Sequence, residues 1–203
     1  MIRATMAQRK DKEVFKIRKR TTVFAAAALA SCVVLTAVAQ TAITFRNTIT
    51  GEVLKFDEAL PEGRDTAGVK AFMATGKNPY NEDKSCLKQG EQIFLSACSG
   101  CHGHIGEGKI GPGLNDDYWT YPENATDQGL FSTIYGGAQA SMGPQYVNLQ
   151  LDEMLKVMAW VRHLYKDGID KAPWMTDEQK KTYKPYQHGE TFGDNPSGQC
   201  AKK

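Results

Sequence analysis

The sequence predicts an all-α fold, and three observations lead there. Asp83 to Ala97, Asp127 to Gly136 and Leu151 to Tyr165 each repeat apolar residues at helical spacing. Strand-like alternation is confined to one loose stretch, Thr44 to Phe56. The motif Cys98-Ser-Gly-Cys-His102 follows directly on the first of the three helical stretches, and C-x-x-C-H is the spacing that attaches a haem covalently. Its two thiols add across the haem vinyl groups as thioethers, and the two-residue spacer matches the reach between those vinyls. The imidazole of His102 then lands under the iron as the proximal ligand. A redox dithiol would want a βαβ context, and half of a zinc site would want a second ligand pair at zinc spacing; the sequence offers neither. The chain therefore divides into an export segment (1–39), an N-terminal extension (40–82), a haem core (83–168) and a C-terminal tail (169–203) packed on that core.

The export segment has a long basic beginning that ends at Lys19-Arg20, then an apolar run from Thr21 to Ala39 closing on Ala37-Val38-Ala39. This is the pattern of a cleaved signal peptide, with Gln40 as the mature N-terminus and the periplasm as the destination. Two rivals stand beside it. Leu29-Ala30-Ser31-Cys32 resembles a lipoprotein processing box that would leave Cys32 acylated, although the apolar run continues past it to Ala39. An uncleaved anchor would have about 19 residues, near the minimum for spanning, but the A-x-A end argues for removal and against stable membrane insertion afterwards. The formal net charge of +2 conceals an asymmetry. Eight of the 25 Lys and Arg lie in residues 1–39 with only two of the 23 acids, so the remainder carries 17 basic against 21 acidic residues, a net of −4. That sign argues against a nucleic-acid partner and for one with a basic docking patch.

In the extension, Thr44 to Phe56 has Phe45, Ile49, Val53 and Phe56 in loose alternation around Gly51, the outline of a short hairpin. Thr66 to Thr75 reads as a helix with Val69, Phe72 and Met73 on one face and Gly76 as its C-cap. No chemistry is visible here. The core opens with the Asp83 to Ala97 helix, capped by Asp83 or Ser85, with Leu87, Gly90, Phe94 and Ala97 sharing a face. A mid-helix glycine costs up to about 1 kcal/mol against alanine, so Gly90 predicts a second helix crossing close by. Asp127 to Gly136 has Asp127 as N-cap and Gly136-Gly137 as its stop. Leu151 to Tyr165 places Met154, Val157, Met158, Val161, Leu164 and Tyr165 at helical spacing, with Gly168 as terminator.

A haem iron with His102 on one side needs a sixth ligand. Met73, Met142, Met154, Met158 and Met175 are the methionines beyond the export segment. Met154 and Met158 suit core packing, whereas Met142, in Ala140-Ser-Met-Gly-Pro144, sits on a loop between two helices and can reach the iron from the far side. The rival role for Met142 is to fill a gap in the core. Thioether ligation favours ferrous iron, raises the potential and closes the iron to substrate, which points to electron transfer. Gly111-Pro112-Gly113-Leu114 can run beneath the haem, with the Pro112 carbonyl accepting the other ring N–H of His102. Tyr118, Trp119 and Tyr121 suit the haem edge and its propionates, or plain packing. His104, His163 and His188 read as surface or structurally satisfied residues. Two cysteines remain, Cys86 and Cys200. In an oxidising compartment they read as a disulfide, against two unpaired buried thiols.

Together these parts resemble the class I cytochrome c fold, in which the first and last helices cross near the haem. More closely, Cys98-Ser-Gly-Cys-His-Gly-His104, Gly111-Pro-Gly-Leu-Asn-Asp-Asp-Tyr-Trp-Thr-Tyr-Pro122, Met142-Gly-Pro144, Trp160-Val-Arg-His-Leu-Tyr165 and Asp177-Glu-Gln-Lys-Lys-Thr-Tyr-Lys-Pro-Tyr186 resemble the cytochrome c-L family over most of Phe45 to Cys200. The resemblance implies an electron carrier, not an enzyme. It would take single electrons from a PQQ-dependent methanol dehydrogenase and pass them to a smaller class I cytochrome c. The donor expected from it is a calcium-dependent methanol dehydrogenase, a lanthanide-dependent one, or a related PQQ alcohol dehydrogenase; a haem enzyme or sensor with an open sixth site is the reading from another class. The resemblance also implies a calcium ion near a haem propionate, whose ligands the sequence does not place. Gln145 stands three residues after Met142, where some family members carry histidine, and this argues against a His–Met ligand exchange.

Overall fold

Helix capping and one glycine explain most of the architecture seen in the computed structural model, which describes residues 43–193 and 197–200. The export segment, with Cys32 and the Ala37-Val38-Ala39 site, lies outside the described residues. Helix α1 spans Ala67–Thr75, starts where the Thr66 side chain accepts from the Val69 N–H, and ends at Gly76 in the left-handed conformation (φ 67°). Helix α2 spans Lys84–Ala97 and is capped by Asp83, whose side chain accepts from the Ser85 N–H. A single further turn, α3 (Ser99–His102), carries the C-x-x-C-H motif. Helix α4 spans Asp127–Gly136, α5 spans Leu151–His163 and the short α6 spans Asp177–Thr182. Among the described residues there is no strand; the expected hairpin is reduced to one isolated antiparallel bridge, Arg46 to Val53, around a turn that uses Gly51 at φ 72°.

The core is organised by the crossing of α2 and α5, the most extensive helix–helix contact among the described residues. Gly90 is where they meet. A Cβ there would collide with the Lys156 carbonyl oxygen and sit 2.9 Å from its carbon and 3.1 Å from the Trp160 Cβ. The crossing expected from a mid-helix glycine is therefore present, and the propensity cost is the condition for close approach. Leu87, Phe94, Met154, Val157, Met158, Val161 and Leu164 are all buried there. Ala97, expected on the same face, is exposed at the end of α2.

Two further expectations need correcting. The N-cap of α4 is Thr126, which accepts from the Gly129 N–H, and not Asp127. Asp127 is instead the first helical residue and turns inward: its Oδ1 accepts from Arg162 Nε at 2.9 Å, and its Oδ2 accepts from the Asn78 N–H at 2.9 Å. Helix α5 ends at His163, two residues early, because Asn115 O takes the Lys166 N–H at 3.0 Å and turns the chain toward the haem-motif loop. Cys86 and Cys200 form a disulfide with a Cα–Cα distance of 5.0 Å that fastens the end of the tail to the first turn of α2.

Candidate haem site

The motif lies on an almost unbroken helical path. Cys98 N–H still donates to Phe94 O at 2.9 Å, the Cys101 and His102 N–H groups both return to Cys98 O at 3.1 and 3.0 Å, and the Ser99 hydroxyl ties the turn to Leu95 O at 2.7 Å. Gly103, at φ 84°, takes the chain out of the helix. Residues 103–114 then fold back across the imidazole: Gly108 N–H reaches His102 O at 2.7 Å, Gly111 N–H reaches Cys101 O at 2.9 Å and Leu114 N–H reaches Gly106 O at 2.7 Å. Gly111 lies so close over the ring that a Cβ would be 2.8 Å from His102 Cε1 and 3.0 Å from Nδ1, so only glycine fits.

Beyond it, the Pro112 carbonyl oxygen is 2.9 Å from His102 Nδ1. A carbonyl only accepts, so Nδ1 carries the proton and donates. Nε2 keeps its lone pair and is left to bind a metal. Cys98 is half-buried and Cys101 exposed, both as free thiols. Two reduced thiols two residues apart, an imidazole with a fixed tautomer and a backbone pressed flat on its ring fit a covalently attached haem.

Met142 is partly buried against the core. Its loop is anchored by Ala138 N–H to Met142 O at 2.9 Å and by Gln145 N–H to Ile134 O at 3.1 Å. Gly137, at φ 82°, is pressed against Met142 O and Pro144 N. Tyr121 joins this loop, its hydroxyl accepting from the Gln139 N–H at 3.1 Å. Tyr118 is 69% exposed. Trp119 packs on Arg162 and edge-on against Trp174, 6.3 Å between ring centres. The structure thus brings His102 and Pro112 together and ties Tyr121 to the Met142 loop, while Trp119 belongs to an aromatic box around Arg162.

That box is what sequence reasoning missed. Arg162 is 1% exposed. It pairs with Asp127, donates to Asn124 O at 2.8 Å and lies 4.1 Å over the Trp174 ring. The available signal was a charged residue inside the apolar run of α5. His163, read as structurally satisfied, sits between two carboxylates: Glu82, 3.2 Å from Nδ1, and Glu190, 3.3 Å from Nε2. Burial alone lowers its pKa, but the two carboxylates outweigh that and raise it. Asp117 pairs with Lys171, and among the described residues there is no group of three or more His, Cys, Asp or Glu that could hold a metal ion.

Residues 86–179 match the family described as cytochrome c oxidase, cbb3-type, subunit III. The cytochrome c-L of Methylorubrum extorquens is 56% identical over 161 residues, which span 79% of this chain and 82% of that protein. The chain belongs to the cytochrome c-L family. Two solved cytochrome c-L structures agree. That from Hyphomicrobium denitrificans is 59% identical with a TM-score of 0.67, over 72% of this chain and 88% of its own. That from the marine methylotrophic bacterium Methylophaga aminisulfidivorans is 55% identical with a TM-score of 0.69, over 73% and 98%. The fold is therefore that of a class I cytochrome c, and membership of the cytochrome c-L family implies one covalently bound haem c and makes the chain a c-type cytochrome, an electron carrier of the methylotroph kind.

Proposed function

We propose that this cytochrome c-L works in the periplasm, accepting single electrons from a PQQ-dependent methanol dehydrogenase and passing them to a smaller class I cytochrome c. The observation that carries the reading is the His102–Pro112 contact at 2.9 Å, which leaves Nε2 as an axial donor. Haem c, held through Cys98 and Cys101, supplies a one-electron Fe(III)/Fe(II) couple. The protein's own part is positional. Pro112 fixes the imidazole and makes it a stronger donor, and Met142 offers a thioether from a loop braced at both ends. A haem held by His102 and Met142 would supply outer-sphere electron transfer with no position left for a substrate, and electrons would cross by docking. Residues 1–39 serve as the removable export signal, and the mature chain carries a net charge of −4, which suits a donor with a basic face. Among the described residues no helix is long and apolar enough to cross a membrane.

The test is stopped-flow reduction of the purified holoprotein by calcium-dependent and by lanthanide-dependent methanol dehydrogenase across a salt series. Fast reduction that slows steeply with salt by one of them identifies the donor class and the electrostatic docking. Absence of reduction by either, with the haem spectrum of a His/Met cytochrome intact, overturns the assigned partner.

A further inference from the structure

The N-terminal extension showed no chemistry in the sequence, yet its contacts converge on the root of one loop. Asn47 Nδ2 donates to Gly136 O at 3.3 Å, at the last residue of α4. The Tyr135 hydroxyl donates to Lys55 O at 2.5 Å, across 80 residues of sequence. Phe56 meets the Tyr135 ring edge-on, with centroids 5.2 Å apart. Tyr135 is 2% exposed, and its ring stacks on Tyr146 at 5.0 Å with 20° between the planes. Tyr146 follows Gln145, whose N–H holds Ile134 O at 3.1 Å. Tyr135 is therefore shared: the extension grips its hydroxyl and edge, and the chain just beyond Met142 lies against its face.

The loop between these anchors holds its own shape poorly. It contains Gly137 and Gly143, and Ala140 stands at φ 65°, a conformation that L residues rarely adopt. Its internal backbone bond is Ala138 N–H to Met142 O. Tyr121 holds the Gln139 N–H and the Gln145 side chain holds Gly143 O at 2.9 Å, so the position of the Met142 side chain depends on these few bonds and on what clamps the two ends. We propose that the N-terminal extension is a brace for the Met142 loop, and that Tyr135 is the positioning residue through which it acts on the axial ligand. The proposal rests on the reading of Met142 as that ligand. A phenylalanine would pack as well as Tyr135 does against Tyr146 and Phe131; only the hydroxyl reaches the Lys55 carbonyl.

The test uses the ferric holoprotein and follows displacement of the thioether by alkali, read from loss of the far-red methionine-to-iron charge-transfer band. Tyr135→Phe removes one hydrogen bond while keeping the stack. A net bond of that kind corresponds to displacement made roughly fivefold to tenfold easier, a midpoint lower by about 0.7 to 1 pH unit, together with a shift of the reduction potential. Asn47→Ala, which frees Gly136 O, moves both readouts in the same direction. Thr48→Val breaks a different bond from the extension to α4, Thr48 Oγ1 to Thr133 Oγ1 at 2.8 Å, and leaves both unchanged. A wild-type midpoint in Tyr135→Phe and Asn47→Ala, or an equal shift in Thr48→Val, overturns the brace. A charge-transfer band that survives Met142→Ala overturns the axial assignment beneath it, a different failure with a different signature.

Discussion

Replacing Gly90 by alanine should unfold this protein more easily, against the ordinary rule for helices. In an exposed helix the change is favourable by about 1 kcal/mol. Here the new methyl group would strike the Lys156 carbonyl oxygen and lie 2.9 Å from its carbon and 3.1 Å from the Trp160 Cβ. Two of these three atoms are backbone and cannot swing away. To reach ordinary contact, α5 must withdraw by roughly 0.5–1 Å, which forfeits a quarter to a half of the dispersion well at each touching pair. Overpacking of this kind costs about 1–3 kcal/mol, and the opened seam raises the total to about 3–4 kcal/mol. After the propensity gain, a net loss of about 2–3 kcal/mol remains. For a chain of this size that is a fall in Tm of about 4–12 °C. The assay is thermal and urea unfolding of the holoprotein, with Gly168→Ala as control. Gly168 has an ordinary φ of −72° and open space around it, so its change should stay within about 0.5 kcal/mol. A Gly90→Ala variant as stable as wild type would refute the reasoning that the crossing depends on backbone contact at this residue.

Two further outcomes are expected. His163 gains stability from Glu82 and Glu190 with a folded pKa above its unfolded value, so its contribution is complete below about pH 6.5 and is lost as pH rises through the raised value. Glu91 interacts electrostatically with the same imidazole and adds in the same sense. The stability gap between wild type and His163→Gln, measured by urea unfolding from pH 6 to 9, should narrow toward alkaline pH, and a gap that widens contradicts it. Arg162→Met should cost about 3–5 kcal/mol, because it strands the buried Asp127 carboxylate. The double variant with Asp127→Asn should recover part of that loss in the same assay, whereas strictly additive losses would remove the pair from the account.

The helices were legible because their signals are local. Thr66, Asp83, Gly76 and the period of α5 each act within a few residues of chain. Gly90 was legible for a different reason: a residue that weakens its own helix must be compensated by something outside it. Legibility failed where a side chain answered to a distant partner. Thr126 and Asp127 are both competent caps, and nothing nearby in sequence says that Arg162, 35 residues on, claims the second and leaves the first to cap. The neighbours observed for Trp119, Arg162 and Trp174, come from a helix and a tail far along the chain, so this second role beside the expected haem edge had no local signal. At the site itself, the motif and the Gly-Pro-Gly-Leu loop are contiguous enough for the His102–Pro112 contact to be anticipated. The link from Lys55 to Tyr135 to the Met142 loop spans the whole core and leaves no trace in any window of sequence.

The Cys86–Cys200 bond also bears on how the molecule is made. In the oxidising compartment proposed above, two of the four described cysteines must become a disulfide and two must stay thiols until haem is attached. The fold sorts them by distance. Cys86 lies in the first turn of α2 and Cys98 just past its last, about 18 Å apart at 1.5 Å per residue and so beyond the reach of a disulfide. The formed helix therefore leaves Cys86 to Cys200 and keeps Cys98 beside Cys101. Once α2 has formed, the exchange of partners between the staple and the haem pair is closed by the length of the helix itself.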